Sequence, residues 1–219
     1  MTPATDPLTD RLERCYTGVL HDVMRAAGMR DFVLPPEIRP IMPERRLCGP
    51  AFTIEGRIDR TADPHETLLA WTGLLSKAHA GHVWVCQPND RTVAHMGELS
   101  AETLKSRGVR GAVVDGFSRD IDFLLELGFQ TWCRGFTPRD IVGTWLPTAT
   151  DVPIRIDPVT INPGDYLCGD RDGCVVIPRD DAEAIVSEAE AAVAKENLVR
   201  KAILEGTDPQ EAYRQYGKF

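Results

Sequence analysis

Residues 97–120 read GELSAETLKSRGVRGAVVDGFSRD, and this stretch limits the architecture more than any other part of the chain. At its centre Gly111-Ala-Val-Val-Asp-Gly is short and continuously apolar, as expected of a strand with both faces covered. Ahead of it, residues 99–107 place Leu99, Ala101 and Leu104 as the apolar positions of a helix. Behind it, Ile121 to Leu127 forms a second helical run that ends at Gly128. Helix, buried strand and helix in succession predict a layered α/β domain. The glycines lie in the strand itself, so the fingerprint of a dinucleotide fold is missing.

The rest of the chain extends this pattern. A helix is expected from about Asp10 to Gly28, followed by an irregular arm from Asp31 to Pro43, where four prolines oppose both helix interior and central strand. Strands are expected from Cys48, over Gly81–Cys86, over Thr92–Met96 and over Gln130–Cys133, with a helix beginning at His65. Beyond Trp145 the segments become short and β-like, with a hairpin signal at Asp170–Gly173. Asp180 or Asp181 then caps a long final helix. This predicts one domain at 11–206, with a flexible leader at 1–10 and a C-terminal tail at 207–219 placed to pack on a neighbouring subunit.

Composition narrows the function. The 219 residues carry 25 basic and 33 acidic side chains, a net charge of −8 that argues against a large nucleic-acid footprint. No apolar run reaches membrane-spanning length, and the N-terminus lacks the basic start and apolar run of a signal peptide, so a cytoplasmic protein is expected. The six cysteines are scattered without a CxxC pair and read as buried free thiols. There is no HExxH, no zinc-like spacing around His79, His82 or His95, and no GxSxG elbow.

Chemistry collects at the two ends of the opening stretch. Gly97-Glu98-Leu99 begins a helix, whose free amides suit an anion; a turn glycine followed by a helix-starting acid explains the same residues without a ligand. Asp120 reads either as the cap of the next helix, with Arg119 solvated, or as one of two carboxylates, with Glu98, that gather a divalent cation. In the second case Arg119 is placed to grip a carboxylate or steady an oxyanion, which suits a 2-oxo acid. For Arg134, Thr137, Arg139 and Asp140, a supporting network and a solvated loop both remain open.

These blocks, together with GFQTWCRGFTPRD, PGDYLCGDRDGCVVIP and CGPAFT after the PPEIRPIMP arm, resemble the RraA-like family over residues 12–206. The family holds regulators of ribonuclease activity as well as 4-hydroxy-4-methyl-2-oxoglutarate aldolase/oxaloacetate decarboxylase enzymes. The resemblance implies a mixed-sheet sandwich of the swivelling phosphohistidine-domain type, assembled as homotrimers or homohexamers with interface active sites. It implies a lyase that releases pyruvate in aromatic compound catabolism, with Arg119 and Asp120 catalytic and Gly97, Glu98, Leu99 and Arg119 holding substrate. It also implies Mg²⁺ or Mn²⁺ on Asp120, with Glu98 and a neighbouring subunit's Glu196 acting through water. The alternative it implies is a non-catalytic regulator that binds a ribonuclease. The chain's length favours the aldolase branch.

Overall fold

The computed structural model describes residues 6–218. Two helices, α1 (Pro7–Arg14) and α2 (Thr17–Ala26), replace the single N-terminal helix expected from the sequence. Cys15 and Tyr16 are extended between them, and Thr17 gives both its amide and its hydroxyl to the Asp170 carboxylate, at 2.8 and 2.7 Å. The second helix is thus capped from a distant hairpin, a contact that helical periodicity does not register. Such caps contribute about 1 kcal/mol. Asp6 caps α1 by accepting from the Leu8 amide, so residues 6–10 belong to the helical layer; residues 1–5 of the expected leader lie outside the described residues.

The strands and helices that follow are β1 (Arg39–Pro40), β2 (Leu47–Ile58), α3 (Pro64–Leu75), β3 (Val83–Gln87), α4 (Glu98–Ser106), β4 (Gly111–Val114), β5 (Phe117–Ser118) and α5 (Ile121–Leu127). Then come β6 (Thr131–Cys133), β7 (Gly135–Phe136), β8 (Trp145–Thr150), β9 (Ile154–Ile156), β10 (Val159–Ile161), β11 (Tyr166–Gly169) and β12 (Cys174–Ile177). A 3-10 turn at Arg179–Asp181 leads into α6 (Ala182–Leu204), and α7 (Pro209–Tyr216) folds back on it. No side chain caps α6, contrary to the role expected of Asp180 or Asp181.

One mixed sheet runs β1-β6-β4-β3-β2-β11-β12, with β8 pairing the far half of β2. Strands β2, β3, β4 and β6 are mutually parallel, while β1, β8, β11 and β12 join antiparallel. The long β2 pairs β11 over Leu47–Pro50 and β8 over Ile54–Ile58, and the β8 pairing has a register shift between Glu55 and Gly56, where the Trp145 ring lies against the strand. A Cβ on Gly56 would lie 1.9 Å from that ring, so only glycine fits. One sheet face packs on α3, α4 and α5 through Phe52, Trp84, Val114 and Leu124. Another cluster joins α1, α2 and α6 to β11 and β12 through Leu12, Leu20, Ile177 and Val186. A third sets Val83, Val113 and Trp132 against the small β9–β10 sheet.

Two further expectations change. Residues 92–96 make one bridge, Ala94 to Phe117, instead of a strand. Of the six cysteines, Cys15, Cys86, Cys133 and Cys174 are free and buried as expected, but Cys48 and Cys168 form a disulfide between directly opposed positions of β2 and β11. Scattered spacing hid this pair because the two positions meet only through the sheet register. Among the described residues no helix is long and apolar enough to cross a membrane.

Candidate active site

The carboxyl ends of parallel strands are where open α/β sheets gather ligands. Here β3 and β4 end side by side, and each is followed by a segment that leads to a helix start, α4 at Glu98 and α5 at Ile121. Those segments are stitched together. The Arg119 amide donates to the Met96 carbonyl at 2.9 Å, the Ser118 hydroxyl donates to the same oxygen at 3.1 Å, and the His95 amide donates to the Phe117 carbonyl at 2.9 Å. This pairing carries Gly97 against Arg119 and Asp120, so the two ends of the 97–120 stretch do meet.

Asp120 adopts the left-handed conformation (φ 55°, ψ 40°), which aspartate tolerates better than most residues at a cost of about 1 kcal/mol. It does not cap its own helix. Its Oδ2 instead accepts from the Glu98 amide at 3.1 Å, at the start of α4, and lies 3.3 Å from Arg119 Nε. Gly97 is extended (φ −158°), a conformation open to any residue, and what it supplies is space. A Cβ there would sit 2.7 Å from Asp120 Oδ2 and 3.1 Å from Arg119 Cγ. Gly97 offers no side chain to cap α4, so beyond Glu98 the first-turn amides of the helix remain for an anion.

Over this rim opens a cavity of about 630 Å³, lined by Leu68, Trp71, His95, Gly97, Glu98, Leu99, Ser100, Arg119, Asp120 and Asp140, among others. Leu99 is 74% exposed and Leu68 45%, which makes the mouth apolar. Trp71 donates its Nε1–H to the Ser100 hydroxyl at 2.9 Å and holds α3 to α4. Arg119 stands at the centre, with Asp140 Oδ2 at 3.4 Å from its Nη1. A guanidinium beside free helix amides is an arrangement that holds a carboxylate and an adjoining oxyanion.

The Aldolase/RraA description of the RraA-like family matches residues 17–176. The chain belongs to the RraA-like family. A Halalkalibacterium halodurans protein, provisionally named as a 4-hydroxy-4-methyl-2-oxoglutarate aldolase, is 32% identical over 181 residues, 82% of each chain. Protein DlpA of Legionella pneumophila is 27% identical over 214 residues, 95% of this chain; the chain spans only 34% of DlpA's length. The crystal structure of Streptomyces coelicolor RraAS2, an unusual member of the RNase ES inhibitor RraA family, superposes with a TM-score of 0.79 at 29% identity. That match covers 89% of this chain and 96% of the other. The layered mixed sheet expected from the resemblance is therefore the RraA-like fold that is observed.

The expected Mg²⁺ or Mn²⁺ does not fit this RraA-like chain. Among the described residues no three His, Cys, Asp or Glu side chains come together as a group that could hold a metal ion. The physical reason is local. Asp120 is engaged by a helix amide and a guanidinium, and Asp140 faces the same guanidinium, so the carboxylates surround a fixed cation. Glu196 lies in a separate cavity, where it accepts from the Tyr16 hydroxyl and from Lys218 Nζ at 3.2 Å. The Asp170–Gly173 hairpin turns to α2, where the Asp170 carboxylate accepts from Thr17. The Arg134–Asp140 loop splits: Arg134 pairs with Asp115 and Glu37, and Asp140 reaches the rim.

His95 is the residue that sequence reasoning passed over, having weighed it only as a zinc ligand. It is fully buried among the residues lining the cavity, its ring 5.1 Å from that of Trp145, and neither ring nitrogen has a hydrogen-bond partner. Asp90 Oδ2 stands 3.7 Å from Nε2, held in place by the Thr92 hydroxyl and by the amides of Thr92 and Val93. Burial lowers the imidazole pKa to about 4, against the opposing pull of Asp90, so the ring is neutral at pH 7. The available signal was a histidine inside the otherwise apolar VAHM run.

Proposed function

We propose that this RraA-like protein is a carbon–carbon lyase that releases pyruvate from a 4-hydroxy-2-oxo acid such as 4-hydroxy-4-methyl-2-oxoglutarate. The observation that carries this reading is the Arg119 guanidinium, set at the cavity rim beside the start of α4, whose amides beyond Glu98 are met by no N-cap side chain. The substrate carboxylate takes the helix amides near Leu99, and its C2 oxygen faces Arg119. A carboxylate beside Arg119, Asp120 or Asp140, receives the 4-hydroxyl proton. The C3–C4 bond breaks, its electrons pass to C3 and the C2 oxygen as an enolate, and the C4 hydroxyl becomes a carbonyl. Protonation at C3 then gives pyruvate. Oxaloacetate loses CO₂ through the same enolate. Arg119 acts where charge develops, which is where a fixed positive group lowers a barrier. The relative from Halalkalibacterium halodurans supports this reading through its name. A neighbouring copy covering Leu68 and Leu99, in a trimer or hexamer, belongs to the same reading.

The test is pyruvate release from a panel of 4-hydroxy-2-oxo acids and oxaloacetate, followed with lactate dehydrogenase and run with and without added divalent cations as a control. Turnover lost in Arg119→Ala and in Asp120→Asn supports the lyase; turnover retained by both removes the site assignment.

A second reading, a non-catalytic regulator that binds a ribonuclease, has specific support. Among the described residues no cluster of metal ligands supports the expected metal chemistry, and the likeness to RraAS2 extends over most of both chains. This reading expects no turnover of any 2-oxo acid, together with saturable binding of a ribonuclease.

A further inference from the structure

Strands β2 and β11 join the parallel part of the sheet to β12 and to the helices packed there, and the ladder between them is short. It sets Leu47 opposite Gly169, Cys48 opposite Cys168, Gly49 opposite Leu167 and Pro50 opposite Tyr166. Three of these four pairs contain a glycine or a proline. Glycine weakens a strand through chain entropy and a missing side chain, and proline withholds an amide. The fourth pair is the two cysteines, bonded across the seam.

The layer beyond the seam is built from α1, α2 and α6 on β11 and β12, with Thr17 of α2 tied to Asp170 just past the end of β11. Side-chain ties from α1 back to the parallel sheet run near the surface. Arg46 Nη1 donates to the carbonyls of Glu13 and Arg14 at 3.0 Å each, and Arg110 Nη2 lies 2.8 Å from Glu13 Oε2. Cys48 and Cys168, by contrast, are buried in the same apolar cluster as Leu12 and Cys15. Breaking their bond leaves two weakly polar thiols among apolar side chains, which is how free cysteines are ordinarily housed. No charge or strong hydrogen-bonding group is stranded, so one packing serves both states. The sheet also has two large apolar clusters besides this one, a core large enough to fold without a staple.

We propose that Cys48 and Cys168 are a redox-modification site, a reversible thiol–disulfide couple that sets how firmly the layer of α1, α2 and α6 is held to the parallel sheet. The oxidant is a low-molecular-weight disulfide such as oxidised glutathione. One cysteine thiolate attacks it and displaces a thiol, giving a mixed disulfide; the second thiolate attacks that bond, displaces the other thiol and closes the pair. The two cysteines lose two electrons and two protons, and the reagent leaves as two thiols. Reduction runs the same steps in reverse. Because both sulfurs are buried, exchange requires the helical layer to lift from the seam, a local opening rather than global unfolding. The couple is independent of any lyase activity at the sheet rim.

The test uses the full chain, equilibrated in glutathione buffers from reducing to oxidising, quenched in acid, and counted for thiols by mass. Four thiols are expected at the oxidising end and six at the reducing end, with peptide mapping placing the bond at Cys48 and Cys168. Amide exchange in α1, α2 and α6 should be at least about tenfold faster in the reduced form, while β3 and β4 exchange alike in both. Reduction should lower the melting temperature by about 10 °C, as loss of a bond closing a long loop would. Cys48→Ala and Cys168→Ala should each match the reduced protein in either buffer. The two forms of the wild type give the same comparison if those variants fail to fold. Six thiols throughout the series overturn the couple, as does a bond mapped to another pair. Four thiols retained at the reducing end until the protein is unfolded overturn its reversibility. A bond at Cys48 and Cys168 that leaves exchange in the three helices unchanged overturns the hold on the layer.

Discussion

The molecule has two roomy, charged cavities, and they differ in whether their charges are answered. One lies between α2, α6 and the C-terminal residues, with a volume of about 540 Å³ and walls of Val199, Ile203 and Leu204. Its polar groups close on one another. Lys218 Nζ lies 3.0 Å from Asp22 and 3.2 Å from Glu196, and the Tyr16 hydroxyl donates to Glu196. Burial, and then the bond to Glu196, push the Tyr16 phenol up to about 12. The sheet-rim cavity, of about 630 Å³, holds a helix start that its own N-cap side chain does not close and a buried imidazole without a hydrogen-bond partner among the described residues. Volume does not separate the two. Unanswered polarity does, because a buried polar group without a partner needs a ligand, a water or a functional reason.

The largest effect expected from breaking this contrast is at Arg119. Arg119→Ala should lower kcat/KM for pyruvate release by about 10²–10³-fold, the usual cost of removing a group aimed at a developing oxyanion. Its side chain is 35% exposed and its ion pairs lie at the surface, so the melting temperature should hardly move. A large drop in melting temperature with preserved turnover would make the rim structural, as the other cavity is.

His95 gives the next effect, through pH. Its folded pKa of about 4 lies below the ordinary value of 6.5, so between those values the unfolded chain binds a proton that the folded chain refuses. The stability tied to a neutral His95 is complete above pH 6.5 and is lost progressively down to pH 4, about 3 kcal/mol in all. Thermal melts from pH 7.5 to 4 should show that slope in the wild type and a flatter one in His95→Gln. Parallel slopes would mean that the imidazole titrates with a partner or a water.

Much of the fold was legible because period and burial agree. The apolar run at Gly111–Val114 is a fully buried strand, and the helix starting at Glu98 was readable from Leu99, Ala101 and Leu104, although Leu99 itself turned out exposed. What stayed hidden depends on register. The Thr17–Asp170 cap, the Cys48–Cys168 pair and the meeting of residues 94–96 with 117–119 join positions far apart in sequence. At the site the residue types were readable but their partners were not. Glu98 and Asp120 looked like a pair for a cation, whereas Asp120 serves the amide of Glu98 and leaves its carboxylate alone. His95 was invisible because a lone histidine in an apolar run is equally at home in a core.

Gly97 sharpens the contrast at a smaller scale. A Cβ there would press Asp120 Oδ2 and the Arg119 stem, so Gly97→Ala should cost about tenfold in kcat/KM by displacing Arg119, an effect of about 1.4 kcal/mol. Gly73, inside α3 with open space around its Cβ position, is the control. Gly73→Ala should leave turnover unchanged and stabilise the protein by about 0.5–1 kcal/mol. Equal behaviour of the two variants would show that the rim tolerates a shifted guanidinium.

The smallest effect belongs to the self-satisfied cavity. Lys218→Met leaves Glu196 without this cation and Asp22 with Arg25 at 3.2 Å, so the expected loss is about 1 kcal/mol or less. Its pH dependence has a definite sign. The hydrogen bond from Lys218 is the foremost reason that the Asp22 carboxyl lies below its ordinary 3.8, so this contribution is complete above pH 3.8 and fades as pH falls through the lowered value. Lys218 is itself held above 10.5 by Asp22 first, so on the alkaline side the contribution lasts to pH 10.5 and fades above it. Melting temperatures of wild type and variant should therefore differ slightly at pH 7, draw together as the pH falls below 3.8, and draw together in high salt. Pyruvate release should not change. A drop in turnover without a change in melting temperature would break the contrast, because it would tie the Lys218 knot to the sheet rim and give both cavities one function.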